Sequence, residues 1–482
     1  MKGSVLDVVI IALYLVMLLG VGYYSSRRVK GTEDYTIAGR KLGYPVLLGT
    51  LIGTAIGAAA TIGKAGKAYE VGIGLFFATM AYSIGLFLFG FIAPVIRRTG
   101  VWTIPDALVI RYGGVMRIVT AVVMILAVIA LFGGQLVAVG LAVTSVMGEF
   151  GITYLEAILG AGLIMVLYTV MGGLLAVAYT DFIQTIIMII FVGILLPILI
   201  IHDVGGTHMA WEHLRPEPGM LFGGLTVAYI ISIFFIDIPF SMVDPSLWQR
   251  AAAAKDTKTI KNSMFITAGV NLYWSFIAVF LGVMAIYLLP GLEATEGGTD
   301  TAIPALVTSY LPVGIRGLCL AAMMAVMMST ADTALLIAGT TFSRDIVRAY
   351  KPDLSDKSLL RLARLFILVI GVLGVGFALV MQGIFDILLL AFAIFVSGVF
   401  IPTMAAIFWK KATKQGALIS AVVASVVVVA LYGLKLSGML PEWIEPILVS
   451  IVVSFVLMVA ISLATYRPDR ATQRLLDLSS GQ

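Results

Sequence analysis

The feature that most constrains this chain is a series of long apolar runs that follow one another along almost its whole length. Hydrophobic residues make up 61% of the 482 and charged residues only 12%, whereas soluble domains carry about 45–50% apolar and about 25% charged residues. A soluble fold cannot bury that much apolar surface. In a lipid bilayer, an α-helix of roughly 20 apolar residues satisfies its own backbone hydrogen bonds. The sequence therefore predicts an all-α, polytopic membrane protein.

Apolar windows predict thirteen transmembrane helices, which are numbered below as spans in chain order. The first is long, has no Ala-x-Ala cleavage pattern and is followed by basic residues, so we expect it to be retained rather than removed as a signal peptide. No segment between the spans is long and polar enough for a soluble domain. The expected spans are 4–24, 45–68, 72–96, 118–147, 153–178, 181–202, 220–246, 264–289, 314–341, 361–381, 385–409, 415–436 and 444–465.

Lys and Arg residues fall mainly on one side of the expected helices. With the N-terminus outside, all but six of the 31 basic residues lie in cytoplasmic segments, as the positive-inside rule requires. The odd number of spans then places the C-terminus in the cytoplasm. We attribute the net charge of +5 to these segments and expect a plasma-membrane location and no nucleic-acid partner. The cytoplasmic segments are 27–41, 97–117, 250–261, 344–364, 410–414 and 467–474.

Two spans carry signals for an interrupted helix. The second is rich in small residues between Leu48 and Gly63, where the backbone can approach a ligand. In the seventh, Pro239 removes a backbone donor and disfavours helix at Ile238. These spans are five apart, as a five-plus-five inverted repeat requires, and broken helices in such repeats bind substrate and ions. Glycine-mediated packing and a simple proline kink are the alternative explanation.

Oxygen-bearing side chains within the ninth span are candidate ligands for a hard cation. Ser329 and Thr330 lie midway along it, and Asp332 and Thr333 follow about one turn later. Such oxygens suit sodium by analogy with other hard cations. A carboxylate inside a span is costly, which makes a function the default hypothesis for it. Asp181, near the start of the sixth span, fits either a cation site or inner gate, or an N-terminal helix cap.

Several segments together resemble the sodium:solute symporter family. The segment 168–184, which reads Tyr-Thr-Val-Met-Gly-Gly-Leu-Leu-Ala-Val-Ala-Tyr-Thr-Asp-Phe-Ile-Gln, is similar to the family's most specific signature. Similarity extends to four further segments, which are 34–43, 249–256, 328–332 and 408–411. The resemblance covers nearly the whole chain. It implies a leucine-transporter-type five-plus-five inverted-repeat core with one extra N-terminal and two extra C-terminal helices.

The expected organisation is a single transmembrane transporter domain over residues 1–482. Within it, 1–43 holds the first helix and a cytoplasmic loop, 44–410 is the inverted-repeat core, and 411–482 holds two C-terminal helices and a tail.

The resemblance also implies a sodium site between the second and ninth spans. On this sequence its ligands map to the backbone carbonyls of three residues and the hydroxyls of two, namely Gly53, Ile56, Val326, Ser329 and Thr330. Some members hold a second sodium ion, whose ligands would be Asp181, Ser329, Asp332 and Thr333. Because Asp332 stands here where those members have a hydroxyl residue, one Na⁺ is expected and a second is left open.

The solute class is approached through positions that differ from the sugar carriers of the family. Those members resemble one another in placing Glu and Gln on the second span and Gln on the eleventh. The corresponding positions here are Ala59, Ala60 and Leu390, so a sugar is disfavoured.

Charged residues near the two breaks bear on the same question. Phe240 and Asp237 suit a small solute that carries an ammonium group. Asp237 could instead titrate as a proton-coupling site, or cap backbone donors freed by the break, because an isolated buried carboxylate is very unfavourable. Lys64 and Lys67 could attract a carboxylate, but we favour a hydrated extracellular rim for both.

The sequence thus predicts a sodium-coupled secondary active symporter that imports a small organic solute, an amino acid or a related carboxylate or amine, as a functional monomer. The alternatives are a proton-coupled carrier of the same fold and a channel or receptor derived from it. An enzyme is disfavoured because the only nucleotide-like string, 57–65, has five residues between its glycines and Ala65 where a P-loop needs Ser or Thr.

Overall fold

Helices make up nearly all of the protein, whose computed structural model describes residues 4–29, 31–214, 225–295, 297–380, 384–441 and 443–466. Within those ranges there is no β-strand, only an isolated bridge between Leu42 and Ala254. Eleven helical ranges there are long and apolar enough to cross a membrane. One of them, 59–99, joins the outer part of the second span to the third, and another, 154–203, contains the fifth and sixth. The all-helical expectation is confirmed, and helices lie within each of the thirteen expected spans, of which residues 220–224 and 381 lie outside the described residues.

The helices follow the expected spans closely, with short helices in several of the connections. The short ones are Thr32–Ile37, Ile104–Tyr112, Thr207–Leu214 and Ala302–Tyr310. The first four spans are Val5–Ser26, Tyr44–Ala55 with Lys64–Val71, Leu75–Thr99 and Gly114–Met147. The fifth and sixth together occupy Tyr154–Met188 and Leu196–Asp203, and the seventh consists of Val227–Val243 and Pro245–Ala253. The eighth to thirteenth are Thr257–Leu288, Ile315–Thr340, Asp356–Val380, Ile384–Phe408, Lys414–Leu436 and Pro446–Thr465.

The ninth span is the central helix. Every residue of its most apolar 18-residue window is buried inside the protein, and it packs against the first, second, fourth, fifth, sixth and tenth spans. A helix that is apolar on all sides is expected in such an interior position. Its few polar residues must therefore find partners on the surrounding helices.

The second span is interrupted in its middle. Its first helix ends at Ala55, and Ile56 takes an extended conformation with φ −111° and ψ 100°. The helix resumes after Ala58 with a π-helical turn over Ala59–Gly63. The Gln135 side chain of the fourth span accepts a hydrogen bond of 2.8 Å from the Ala58 N–H, which satisfies one backbone donor freed by the break. The interruption expected from the small residues is confirmed.

The seventh span is also interrupted, but not at Pro239. The helix Val227–Val243 runs through this proline, and the break falls at Asp244, which has φ −60° and ψ 114°. Asp244 precedes Pro245, and a residue before proline is pushed out of the helical region. The Asp244 side chain then accepts the Ser246 N–H at 2.7 Å, and Pro245 starts the next helix. The expected position of this break was wrong by about five residues.

The fifth and sixth spans are separated at Gly173, inside the range expected for the fifth span (153–178), so the expected boundary between 178 and 181 was wrong by about six residues. Gly173 has φ 57° and ψ −152°, and a Cβ added there would lie 2.5 Å from the backbone oxygen of Tyr35. Only glycine fits both the backbone conformation and the close approach. Because the following helix begins directly after Gly173, Asp181 lies well inside a helix rather than at its start.

Candidate ion and solute site

Backbone carbonyls at the break of the second span meet hydroxyl groups of the ninth. The Ser329 Oγ lies 2.9 Å from the carbonyl oxygens of both Gly53 and Val326. The Thr330 hydroxyl donates to the Thr54 carbonyl over 3.4 Å. Ile56, at the break itself, is fully buried. Three of the five expected sodium ligands, Gly53, Val326 and Ser329, are thus in direct contact. Thr330 follows Ser329 in the chain, and Ile56 lies at the break three residues after Gly53.

The chemistry of this donor set fits sodium. Carbonyl and hydroxyl oxygens converge there from two helices, and one of the helices is unwound, so its carbonyls are not all used within it. The helices also approach closely, since a Cβ added to Gly57 would lie 2.7 Å from the Thr330 Oγ1. Gly53, Ile56, Val326, Ser329 and Thr330 would hold the ion, whose binding would link the two helices.

Asp181 lies in a closed network with an arginine. Its Oδ2 accepts hydrogen bonds from the Thr50 hydroxyl at 2.5 Å and from the Arg250 Nη2 at 3.1 Å. The same Nη2 donates to the Thr333 Oγ1 at 2.8 Å, and the Arg250 Nε donates to Thr50 at 2.9 Å. Arg250 and Asp181 are both fully buried. The helix-cap explanation of Asp181 is wrong, because its partners are side chains of other helices.

Asp332 is directed to a different helix. Its Oδ2 accepts a hydrogen bond from the Tyr168 hydroxyl, and its Oδ1 accepts one of 3.4 Å from Thr169. All three residues are buried and the two partners lie on the fifth span. The residues expected to bind a second ion are therefore not brought together by side-chain contacts: Asp181 and Thr333 contact Arg250, Asp332 contacts the fifth span, and the Ser329 hydroxyl faces the Gly53 and Val326 carbonyls.

A cavity of about 90 Å³ lies between the two broken spans and the third, fourth, ninth and eleventh. Four of the five expected solute-binding residues line it, namely Ala59, Ala60, Asp237 and Phe240. Leu390 does not. On the eleventh span the lining residues include Leu389 and Phe392 instead, so the side chain of Leu390, which is only half-buried, points elsewhere. The structure therefore does not bring Leu390 to the cavity with the other four expected residues.

Three charged side chains line this cavity, Lys64, Asp237 and Asp244, and they carry opposite charges. Lys64 is only 5% exposed and its Nζ donates to the Ser275 hydroxyl at 2.6 Å. Asp237 is 7% exposed, and among the described residues it has no hydrogen bond and no ion pair within 4.0 Å. Both line the cavity. The hydrated-rim explanation is therefore wrong for Lys64, whereas Lys67 does reach the surface, where it pairs with Glu70 at 2.9 Å.

Aromatic rings form part of the cavity wall. The Phe240 ring stacks on Phe392 with a centroid distance of 3.9 Å, and Tyr82 lies nearly parallel to Phe240 at 6.4 Å. The Tyr82 hydroxyl donates to Asp244 Oδ2 over 3.4 Å. Asp237 cannot cap the break, because the helix is continuous there and Asp244 performs that role.

Sequence reasoning missed three residues of this region. Gln135 was not considered, Asp244 was overlooked although an Asp-Pro pair is a boundary signal, and Arg250 was counted with the cytoplasmic loop residues. Nothing in the local sequence of Arg250 separates it from a loop arginine. Its burial follows from the short helix Pro245–Ala253, which turns it towards Asp181.

These observations define a class of protein. A helical membrane protein with two interrupted spans five apart, an oxygen-rich contact at one break and a charged cavity beside it, has the architecture of an ion-coupled carrier. The model of the sodium:solute symporter family matches residues 35–424, and the chain belongs to that family.

Curated relatives are transporters of several solutes. The chain is 28% identical over 470 residues to the sodium/glucose cotransporter of Vibrio parahaemolyticus, covering 88% of this chain and 84% of that one. It is 27% identical over 495 residues to the osmoregulated proline transporter OpuE of Bacillus subtilis, covering 98% and 97%. It is 29% identical to the sodium/myo-inositol cotransporter 2 of Mus musculus, covering 85% and 67%.

Solved structures share the fold. A Na⁺-coupled sialic acid symporter in a substrate-bound outward-open state superimposes with a TM-score of 0.78 at 20% identity, over 96% of this chain and 98% of that one. A nucleobase-cation-symport-1 family transporter superimposes with a TM-score of 0.61 at 16% identity, over 92% and 98%. The leucine-transporter-type fold is confirmed. The protein is a sodium-coupled symporter of a small solute in a membrane, not an enzyme.

Proposed function

We propose that this symporter imports a small zwitterionic solute of the amino-acid type, driven by sodium bound at the contact of the second and ninth spans. The observation that carries the proposal is the pair of opposite, cavity-facing charges on Lys64 and Asp237. An isolated buried charge is strongly unfavourable. Lys64 and Asp237 attract each other across the cavity, but no ion pair within 4.0 Å joins them. A solute with an ammonium group towards Asp237 and a carboxylate towards Lys64 would give each of them a counter-charge in direct contact.

The size and walls of the cavity agree with such a solute. About 90 Å³ of internal space admits a small molecule, and the stacked rings of Phe240 and Phe392 offer a flat apolar surface beside Asp237. A cation next to aromatic faces is additionally stabilised. A neutral sugar could hydrogen-bond to Lys64 and Asp237 but would bring neither of them a counter-charge in direct contact, so we place sugars second.

The sodium site and the cavity share a residue, which gives coupling a physical basis. Thr330 lines the cavity and also donates to the Thr54 carbonyl at the break. An ion bound by Gly53, Ile56, Val326, Ser329 and Thr330 would fix the unwound segment that leads directly to Ala59 and Ala60. Sodium would thus order one wall of the solute site.

Uptake into proteoliposomes tests the proposal. Radiolabelled neutral amino acids, a monocarboxylate, an amine and glucose would be compared in sodium and in potassium buffer, with no pH gradient. We expect sodium-dependent, concentrative uptake of a zwitterion. Replacing Ser329 and Thr330 with Ala should raise the sodium concentration for half-maximal uptake by about tenfold or more, which corresponds to at least ~1.4 kcal/mol. Equal uptake in both buffers would refute sodium coupling, and preferred uptake of glucose would refute the solute class.

We also propose an orientation with the N-terminus outside and the C-terminus in the cytoplasm, supported by the distribution of Lys and Arg. The single cysteine, Cys319, is buried, so reporter cysteines can be introduced singly. A cysteine at Gly151 should react with an impermeant maleimide on intact cells, and one at Asp353 should react only after lysis. The reverse pattern would refute this orientation.

A further inference from the structure

We propose that the guanidinium of Arg250 takes the place of a second sodium ion, so that the protein binds one sodium ion per chain. The inference rests on the proposed sodium site at Gly53 and Ser329. It concerns the neighbouring cluster of Asp181, Thr333 and Asp332, which would otherwise be the place for another cation.

The geometry of Arg250 is that of a cation with a complete set of oxygen partners. One nitrogen, Nη2, lies 3.1 Å from Asp181 Oδ2 and 2.8 Å from Thr333 Oγ1. Nε donates to Thr50 at 2.9 Å, and Nη1 donates to the Ser246 carbonyl at 3.4 Å. All three nitrogens of the guanidinium are thus used. Thr50 in turn donates to Asp181 Oδ2 at 2.5 Å, which closes the ring.

The remaining oxygens are used elsewhere. Asp332 accepts hydrogen bonds from Tyr168 and Thr169 on the fifth span. The Ser329 hydroxyl faces the Gly53 and Val326 carbonyls of the first site.

Two buried oxygens near the cluster have no hydrogen-bond partner, Asp181 Oδ1 and Gln184 Oε1. They lie three residues apart on one helix. A hard cation takes about six oxygens, and here the other oxygens around these two, Asp181 Oδ2 and Thr333 Oγ1, already face the positive charge of Arg250.

The Arg250 guanidinium differs from a bound sodium ion because it is part of the chain and cannot dissociate. Arg250 sits on the half of the seventh span that follows the break at Asp244, and its guanidinium contacts the carboxylate of Asp181. Asp244 and Asp332 are near enough to attract it as well. It therefore supplies a fixed positive charge at Asp181 throughout the cycle. An arginine suits this role because its guanidinium stays charged and its planar set of donors bridges several oxygens at once.

Equilibrium binding of radioactive sodium to the purified protein in lipid nanodiscs, without solute, tests the inference. The wild type should bind one ion per chain with a Hill coefficient near one. Arg250→Gln frees Asp181 and Thr333 while keeping hydrogen-bonding capacity, so it should bind a second ion and the Hill coefficient should rise above one. Adding Asp181→Asn to Arg250→Gln should return the count to one.

Controls separate this inference from the sodium site on which it rests. Arg316→Gln removes another buried arginine, paired with Asp7 at 2.6 Å on the first span, and should still bind one ion. Asp181→Asn alone should also bind one ion. If Arg250→Gln fails to fold, the wild-type count still decides, because two ions on the wild type, reduced to one by Asp181→Asn, would show that a second ion binds beside Arg250. Two ions on the wild type, or a single ion on folded Arg250→Gln, would overturn the inference and leave the first site intact. No ion on the wild type would overturn both.

Discussion

Two acid–base pairs lie near the two broken spans, and they differ in how completely each is closed. Arg250 and Asp181 are in direct contact at 3.1 Å, are fully buried and share Thr50 as a common partner. Lys64 and Asp237 face a common cavity, and no ion pair within 4.0 Å joins them. The first pair satisfies its own charges, whereas the second leaves room for a ligand between them.

The difference shows where a ligand is needed. Removing two charges from water costs several kcal/mol per ion unless geometry and hydrogen bonds compensate, and the Arg250 network supplies that compensation. Lys64 and Asp237, which are held apart across a cavity, compensate each other's desolvation cost much less. The open pair therefore marks a binding site and the closed pair a fixed part of the structure, a distinction that residue type alone does not make.

The largest effect is expected from breaking the closed pair. Arg250→Ala leaves Asp181 buried without a counter-charge, which should lower the free energy of unfolding by about 3–5 kcal/mol. Thermal unfolding in detergent without sodium measures this. Arg348→Ala is the matched control, because its partner Asp356 is at 3.3 Å but both side chains are largely exposed, and its loss should be at most about 1 kcal/mol. Equal losses would show that the Arg250 network stabilises no more than a surface pair.

The next effect is expected at the open pair. Asp237→Asn keeps size and polarity but removes the charge, so affinity for an ammonium-bearing solute should fall about 30-fold or more, a loss of at least ~2 kcal/mol. Sodium binding measured without solute should be retained. Competition binding of a zwitterion and its des-amino analogue checks this, since only the zwitterion should lose affinity.

Two other results would redefine Asp237. A flattened pH profile of uptake with solute affinity intact would assign proton coupling to it. Unchanged solute affinity with an unchanged pH profile would remove the main support for a zwitterionic solute.

Sequence patterns predicted the architecture well because it depends on features that are local. Apolar runs locate the spans, and small residues at 53–57 locate one break. The break at Asp244 was also readable from Asp-Pro, but Pro239 is a more conspicuous residue in the middle of a span. A membrane helix tolerates such a proline where neighbouring groups satisfy the freed backbone, and the helix Val227–Val243 does run through it.

The charged residues were harder to predict because burial of a single side chain depends on distant helices. Lys64 looked like a rim residue until its contact with Ser275 on the eighth span was seen. Arg250 looked like a loop residue although its partners are on the second, sixth and ninth spans. Leu389 lines the cavity and its neighbour Leu390 does not. Which of two adjacent residues faces a cavity depends on the rotation of the helix, and an apolar run does not determine that rotation.

A smaller effect tests the sodium contact that borders both pairs. A Cβ at Gly57 would lie 2.7 Å from the Thr330 Oγ1 and 3.2 Å from its Cβ, so Gly57→Ala must displace the ninth span or the unwound segment. We expect the sodium concentration for half-maximal binding to rise about tenfold, or ~1.4 kcal/mol. Gly20→Ala, with nothing within 4 Å of the new Cβ, is the control. A wild-type sodium affinity in Gly57→Ala would argue against an ion at this contact.

The smallest effect concerns the aromatic wall beside the open pair. Phe240→Leu removes the stack with Phe392 at 3.9 Å, and aromatic pairs contribute about 0.5–1.5 kcal/mol beyond their buried area. The ring is also expected to contact the ammonium group of the solute near Asp237. Affinity of Phe240→Leu for a zwitterion should therefore fall about 3–10-fold. Phe342→Leu is the control, because it removes a comparable stack with Phe366, whose ring centroid lies 4.0 Å from that of Phe342. Neither of these rings lines the cavity. Both variants should lose similar thermal stability, but only Phe240→Leu should weaken solute binding, because only its ring lines the cavity between the two unpaired charges.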